Sequence, residues 1–122
     1  MEILLFLLFL LASILKWIFA PFFYCYGIIR SLTLGEFGKW HFDLAVGKDQ
    51  YGNVLGKYLF NDIWIKQDGY KFGNPDETIS SALGKNKRIG KFRMFGETIA
   101  NILNKLDYNH VEKSIEEDEN RT

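Results

Sequence analysis

The sequence predicts a mainly α-helical protein: an N-terminal transmembrane helix, then a small helical domain with one short β-hairpin. Residues 3–29, ILLFLLFLLASILKWIFAPFFYCYGII, hold a single charge, Lys16, and a run of that length and composition is a membrane-spanning pattern. Downstream, apolar side chains recur at three- and four-residue spacing in several stretches, which is the signature of amphipathic helices. One stretch, IWIKQDGYKF at 63–72, alternates instead around an Asp-Gly pair, the chemistry of a tight hairpin turn.

The first element is the anchor. About twenty helical residues at ~1.5 Å each cover the ~30 Å hydrocarbon core. A lysine at the midplane costs on the order of 3 kcal/mol, whereas near a helix end it snorkels to the headgroups. Lys16 therefore sets the span at about residues 3–20, with a bend at Pro21. Trp17, Phe22, Phe23, Tyr24 and Tyr26, closed by Arg30, then fall at the interface, where amphipathic rings accumulate. A cleaved signal peptide fits less well, because the leader begins Met1-Glu2 without a basic segment and has no small-x-small site. A buried core helix fits less well too, since roughly ninety remaining residues hardly cover a helix that is apolar all round. Lys16, Arg30 and Lys39 lie on the C-terminal side of the span against Glu2 on the other. The positive-inside rule then gives a single-pass protein of the bacterial inner membrane with its C-terminal domain in the cytoplasm.

The expected division is 1–30 for the anchor and its aromatic segment, 31–117 for the helical domain and 118–122 for an acidic frayed tail. Residues 31–48 read as an amphipathic helix through Phe37, Trp40 and Leu44, with His41 and Ala45 alongside. Tyr51, Val54, Leu55, Tyr58 and Leu59 continue a helical stripe, weakened by Gly47, Gly52 and Gly56 at about 1 kcal/mol each. Gly52 and Gly56 form a GxxxG among polar neighbours, which reads as close helix contact rather than packing in lipid. After the hairpin, Asn74 is a strong N-cap, Pro75 suits the first helical position, Asp76 favours the helix dipole and Glu77 takes the capping-box position. That helix carries Ile79 and Leu83 and stops at Gly84. Residues 86–93 read as a basic linker, and 94–106 as a helix with Phe95, Ile99, Ile102, Leu103 and Leu106 on one face. Asn109 caps a last turn, with Glu112 three residues on and Val111 paired to Ile115.

Composition limits function. The 122 residues carry 15 basic and 15 acidic side chains, so no global field draws the protein to nucleic acid, which is not an expected partner. Cys25 is the single cysteine and His41 and His110 the two histidines, so no structural zinc set is spelled out and no metal or cofactor is expected. No strained Gly-x-Ser-x-Gly turn and no glycine-rich phosphate loop occurs. The weak catalytic candidates are Asp76, Glu77 and His110. Neighbouring carboxylates in one turn point apart, so at most one of the pair joins the histidine, and capping already explains both. Lys85, Lys87, Arg88, Lys91 and Arg93 form the local basic patch, read as a solvated linker or as a contact to anionic lipid headgroups.

The segment GYKFGNPDETISSALGKN, preceded by DQYGN and followed by LDYNHVEKSIE, resembles a group of small bacteriophage and prophage proteins. Those share a Pro-Asp-Glu-Thr-Ile/Leu-Ser core and a later Asp-x-x-His-x-x-x-Ser/Ala element. The resemblance covers residues 49–117 and falls on Pro75, Asp76, Glu77, Thr78, Ile79, Ser80, Asp107, His110 and Ser114; Val111 stands where a cysteine is often found. It implies a phage or mobile-element origin and brings no activity with it. The resulting expectation is a membrane-anchored, non-enzymatic module whose cytoplasmic domain binds a host or phage protein, with lipid as its other partner. Two alternatives stand beside it: a tethered metal-dependent hydrolase using Asp76 or Glu77 with His110, and a holin-like lysis protein.

Overall fold

A computed structural model describes residues 1–118. The elements are α1 (Glu2–Leu34), α2 (Phe37–Leu55), α3 (Lys57–Leu59) running into a π-helical turn (Phe60–Trp64), α4 (Ile79–Ile89), α5 (Met94–Leu106) and α6 (His110–Lys113). The chain divides into two compact units, Met1–Phe42 and Asp43–Thr122. The acidic tail lies, apart from Asp118, outside the described residues.

In the first unit α1 is long and apolar enough to cross a membrane, and its most apolar stretch is nowhere buried. The expected bend does not end the helix: Pro21 lies inside α1, which continues to Leu34. Proline removes one N–H and crowds one turn, but the apolar run on either side carries no competing turn signal. The stop comes at Gly35, with φ 72°, where Glu36 N–H donates to Ser31 O (2.8 Å) and Gly35 N–H to Leu32 O (3.3 Å). Two such bonds around a left-handed glycine form a Schellman cap. Residues 31–34 thus close α1 instead of opening the next helix. The Trp40 ring packs on Gly27, where a Cβ would lie 2.3 Å from it. Tyr24 stacks on Trp40 at 5.5 Å and bonds its hydroxyl to His41 Nε2 at 2.8 Å. His41 Nδ1 lies 2.9 Å from the Phe37 carbonyl. A carbonyl only accepts, so Nδ1 carries the proton and Nε2 accepts from Tyr24.

The second unit is built around α4, which packs against α5 and α6. Its core is Ile65, Tyr70, Phe72, Ala82, Leu83, Ala100 and Val111, edged by Phe60, Trp64, Ile79, Phe92, Ile99 and Leu103. Thr78, not Asn74, caps α4: its Oγ1 accepts from Ser81 N–H at 3.1 Å. Asn74 instead closes a tight turn before the helix, its Oδ1 accepting from Asp76 N–H at 3.0 Å and its carbonyl from Glu77 N–H at 3.1 Å. Gly84 does not stop α4, which runs on to Ile89 and turns at Gly90 (φ 67°). The basic stretch 86–93 therefore begins as helix. Gly84 serves packing: a Cβ there would lie 2.0 Å from Val111 O and 2.7 Å from Ile115, so its bare backbone lets α6 dock. Gly52 and Gly56 likewise meet Ile79 and the Phe60 ring.

The expected hairpin does not form. Among the described residues the only strand-like pairing is an isolated antiparallel bridge between Ile65 and Phe92. The Asp-Gly turn closes, Gly69 N–H donating to Lys66 O at 2.9 Å, but the chain beyond it pairs with side-chain amides. Asn86 Oδ1 accepts from Tyr70 N–H (2.8 Å) and its Nδ2 donates to Tyr70 O (2.8 Å). Asn61 serves Phe72 in the same way, at 2.8 and 3.2 Å. Asn53 Oδ1 accepts from Gly73 N–H at 3.0 Å and its Nδ2 donates to Glu77 O at 2.9 Å. A carboxamide carries the donor and acceptor of a peptide group, so three asparagines replace a partner strand.

Helix α5 has the expected bounds, but only Ile99 and Leu103 of its apolar face line the core; Phe95, Ile102 and Leu106 are exposed, and Gly96 and Ala100 form the buried line. Asn109 precedes α6 in the left-handed region, φ 54°, without a side-chain cap.

Candidate functional site

The two carboxylates of the Pro-Asp-Glu-Thr core part company. Asp76 is exposed in the turn. Glu77 is fully buried and salt-bridged to Lys85 at 2.6 Å, with the lysine 6% exposed. Tyr70 donates its hydroxyl to Glu77 Oε1 at 2.8 Å and Ser81 to Oε2 at 2.6 Å. Lys85 Nζ also reaches Tyr70 Oη at 3.2 Å and lies 4.6 Å from the centre of that ring. Among the described residues no buried side-chain nitrogen or oxygen lacks a partner. A buried ion pair persists when it is hydrogen-bonded this way, and the full burial of Glu77 closes it off from a metal or a substrate.

His110 meets other residues. Its Nδ1 lies 3.0 Å from Asp107 Oδ2, and its Nε2 lies 3.0 Å from Ser80 Oγ. Ser80 Oγ also approaches Asp49 Oδ2 at 3.4 Å, and Asp49 Oδ1 accepts from Ile79 N–H at 2.8 Å. The Pro-Asp-Glu-Thr-Ile-Ser segment and the later Asp-x-x-His segment therefore touch through Ser80 and His110, joining α4 to the start of α6. Facing a carboxylate, His110 Nδ1 carries a proton; the single hydrogen of the Ser80 hydroxyl is shared between Asp49 Oδ2 and, in the neutral ring, His110 Nε2. Burial pushes the Asp49 carboxyl above its ordinary value, against the lowering effect of the Ile79 amide, the Ser80 hydroxyl and amide, and His110. The Asp107 carboxyl is held below its ordinary value, first by Lys113 and then by His110.

Asp107, His110 and Ser80 stand in the order that activates a serine nucleophile. The surroundings do not complete that chemistry. Acyl transfer needs N–H donors aimed at a developing oxyanion, and those at the start of α4 are engaged: Thr78 N–H by Glu116 (3.0 Å), Ile79 N–H by Asp49, Ser81 N–H by Thr78. Ser80 is 6% exposed, with the Asp49 carboxylate at its oxygen. The arrangement caps and clamps.

The basic patch is dispersed. Lys85 is inside with Glu77, so it does not face lipid; Lys87 pairs with Glu112, Arg88 with Glu117 at 2.6 Å and Lys91 with Asp68 at 2.6 Å. Arg93 Nε donates to Ile65 O at 2.8 Å. Of the interface residues expected in α1, Lys16, Trp17, Tyr26 and Arg30 are exposed along the helix, and Tyr24 is held by His41. Ser114 bonds back to the His110 carbonyl, and Pro75 is exposed in the turn before Thr78.

Sequence reading missed Asp49, Ser81, Tyr70 and the three asparagines. A signal was present: Asp49 and Asn53 are four apart on the face opposite the apolar stripe, a polar line running along one side of α2. Among the described residues no three His, Cys, Asp or Glu side chains are placed to hold a metal ion. No protein-family model, curated protein or solved structure matches the chain.

Proposed function

We propose that this is a single-pass protein of phage or prophage type in the bacterial inner membrane, whose small domain faces the cytoplasm and works by binding a host or phage protein. The observation that carries the reading is α1, a helix long and apolar enough to span a membrane whose most apolar stretch is unburied, in a chain whose residues from Asp43 onward build a second compact unit. Two features favour binding over catalysis: the amides around Ser80 are taken, and Glu77 is fully buried and held by Lys85, Tyr70 and Ser81. The second of these also counts against the metal-dependent hydrolase. A holin-like role finds less support, because the second unit is larger and more elaborately bonded than pore formation by α1 requires. Exposed Phe95, Ile102 and Leu106 on α5 offer apolar anchors of the kind that dominate partner affinity.

The test is crosslinking in host membranes followed by purification, comparing the full chain with a form lacking residues 1–30. Recovery of one stoichiometric protein, lost when Phe95 and Leu106 are changed to serine, supports the reading. Absence of any specific protein from both forms removes it.

A further inference from the structure

Helix α2 is inverted from Asp43 onward. Three of its polar side chains point into the domain: Asn53 is fully buried among the carbonyls of Asn74 and Glu77, Asp49 sits at the start of α4, and Gln50 reaches Asp76 O at 3.2 Å. The apolar side chains of its last turns, and those of α3 beyond Gly56, point out, while Leu44 and Val46 are half-buried. Tyr51, Val54, Leu55, Tyr58 and Leu59 form a line at helical spacing, with Leu55 69% and Tyr58 76% exposed. Scattered exposed leucines are ordinary, whereas a continuous stripe on a helix whose polar face is buried marks a surface meant for something other than water.

We infer that this stripe lies in the headgroup and upper acyl region of the bilayer, so that the domain rests on the membrane as well as being tethered to it. The inference depends on the anchor reading of α1. Covalent connection supplies the first argument: α1 ends at Leu34 and α2 starts at Phe37, so a chain leaving the bilayer through α1 presents its next helix at a high effective concentration to the same leaflet. Composition supplies the second. Tyrosines at either end of an aliphatic centre, Tyr51 and Tyr58 around Val54 and Leu55, match the interfacial preference for rings with a polar tip. Exposed Lys48 and Asp62 bound the line one turn before and after it, the arrangement of an amphipathic segment lying in the membrane plane.

The experiment uses the full chain in vesicles of phosphatidylcholine and phosphatidylglycerol. An environment-sensitive fluorophore is attached at Y58C or, independently, L55C in a Cys25→Ser background, with D68C on the exposed turn as reference; the wild-type chain is labelled at Cys25, its only cysteine. Lipids spin-labelled on the acyl chain then report depth. The expected result is a blue-shifted probe at 58 and 55, quenched severalfold more than at 68. A probe at 58 and 55 that stays water-like, while Cys25 is quenched, overturns the inference and leaves the anchor standing. A blue-shifted probe that lipid does not quench overturns it in favour of a protein covering the stripe. An unquenched Cys25 removes the anchor, and the inference with it.

Discussion

Glu77, just before the cap of α4, and Lys85, in the middle of that helix, bury opposite charges 2.6 Å from each other inside the domain. Removing one partner leaves the other charged, desolvated and uncompensated. Glu77→Ala or Lys85→Ala is expected to destabilise the domain by about 3–5 kcal/mol, enough to unfold many domains of this size. The double change to leucine and methionine recovers most of that loss. Denaturant titration of all three variants checks this, and a double variant no more stable than the singles refutes it.

Gly84 and Gly47 offer a contrast between two helical glycines. At Gly84 a methyl group collides with Val111 O, whereas at Gly47 nothing lies within 4 Å. Gly84→Ala is expected to cost about 1–3 kcal/mol or more by pushing α6 off α4, with loss of amide protection around Val111. Gly47→Ala is expected to gain about 0.5–1 kcal/mol from helix propensity. Thermal melting separates the two signs.

Asp49 gives a pH dependence opposite to that of the surface pairs. Its carboxyl is raised by burial, so its contribution to stability is present below the ordinary value of 3.8 and is lost as pH rises through the folded-state value. The carboxyls of Asp68, Asp107, Glu112 and Glu117 are lowered, chiefly by Lys91, Lys113, Lys87 and Arg88 respectively. They stabilise above their ordinary values, and that contribution is lost as pH falls through the folded ones. Asp49→Asn keeps an acceptor for Ile79 N–H and offers a donor to Ser80 Oγ. Its stability relative to the parent chain should rise from acid toward neutral pH. A difference independent of pH would show that Asp49 is not strained in its charged form.

Ser80 and His110 are expected to behave as a clamp. A double-mutant cycle of Ser80→Ala and His110→Ala should return a coupling of about 0.5–1.5 kcal/mol in stability, and a fluorophosphonate probe should leave Ser80 unlabelled. Stoichiometric labelling that depends on His110 would instead establish a nucleophile.

The long apolar helix and α5 were legible in the chain because each rests on local information: an apolar run for one, a period with clear ends for the other. The start of α4 was misread by four residues because Asn74-Pro75 and Thr78 are both good caps, and only Glu116 and Asp49, remote in sequence, favour the second. The hairpin was misread for a related reason. Alternation around Asp-Gly is local, while the asparagines that take over the backbone of Tyr70 and Phe72 come from elsewhere. In α2 the stripe was found with its phase correct, but periodicity does not say which face is inside. The clamp joins positions 49, 80, 107 and 110, a separation no spacing rule spans.

The three asparagines also give the domain a chemical lifetime. A peptide bond in a strand is inert, whereas the side-chain amide that substitutes for it can hydrolyse to a carboxylate and turn its donor into an anion facing a carbonyl oxygen. Asn53 and Asn86 are fully buried, and Asn61 is half-buried. Ageing at elevated temperature is therefore expected to convert Asn61 first and to free the backbone of Phe72, which peptide mapping by mass spectrometry detects; conversion of Asn86 before Asn61 would contradict it. The chain meets its hydrogen-bonding needs here with a part that wears out.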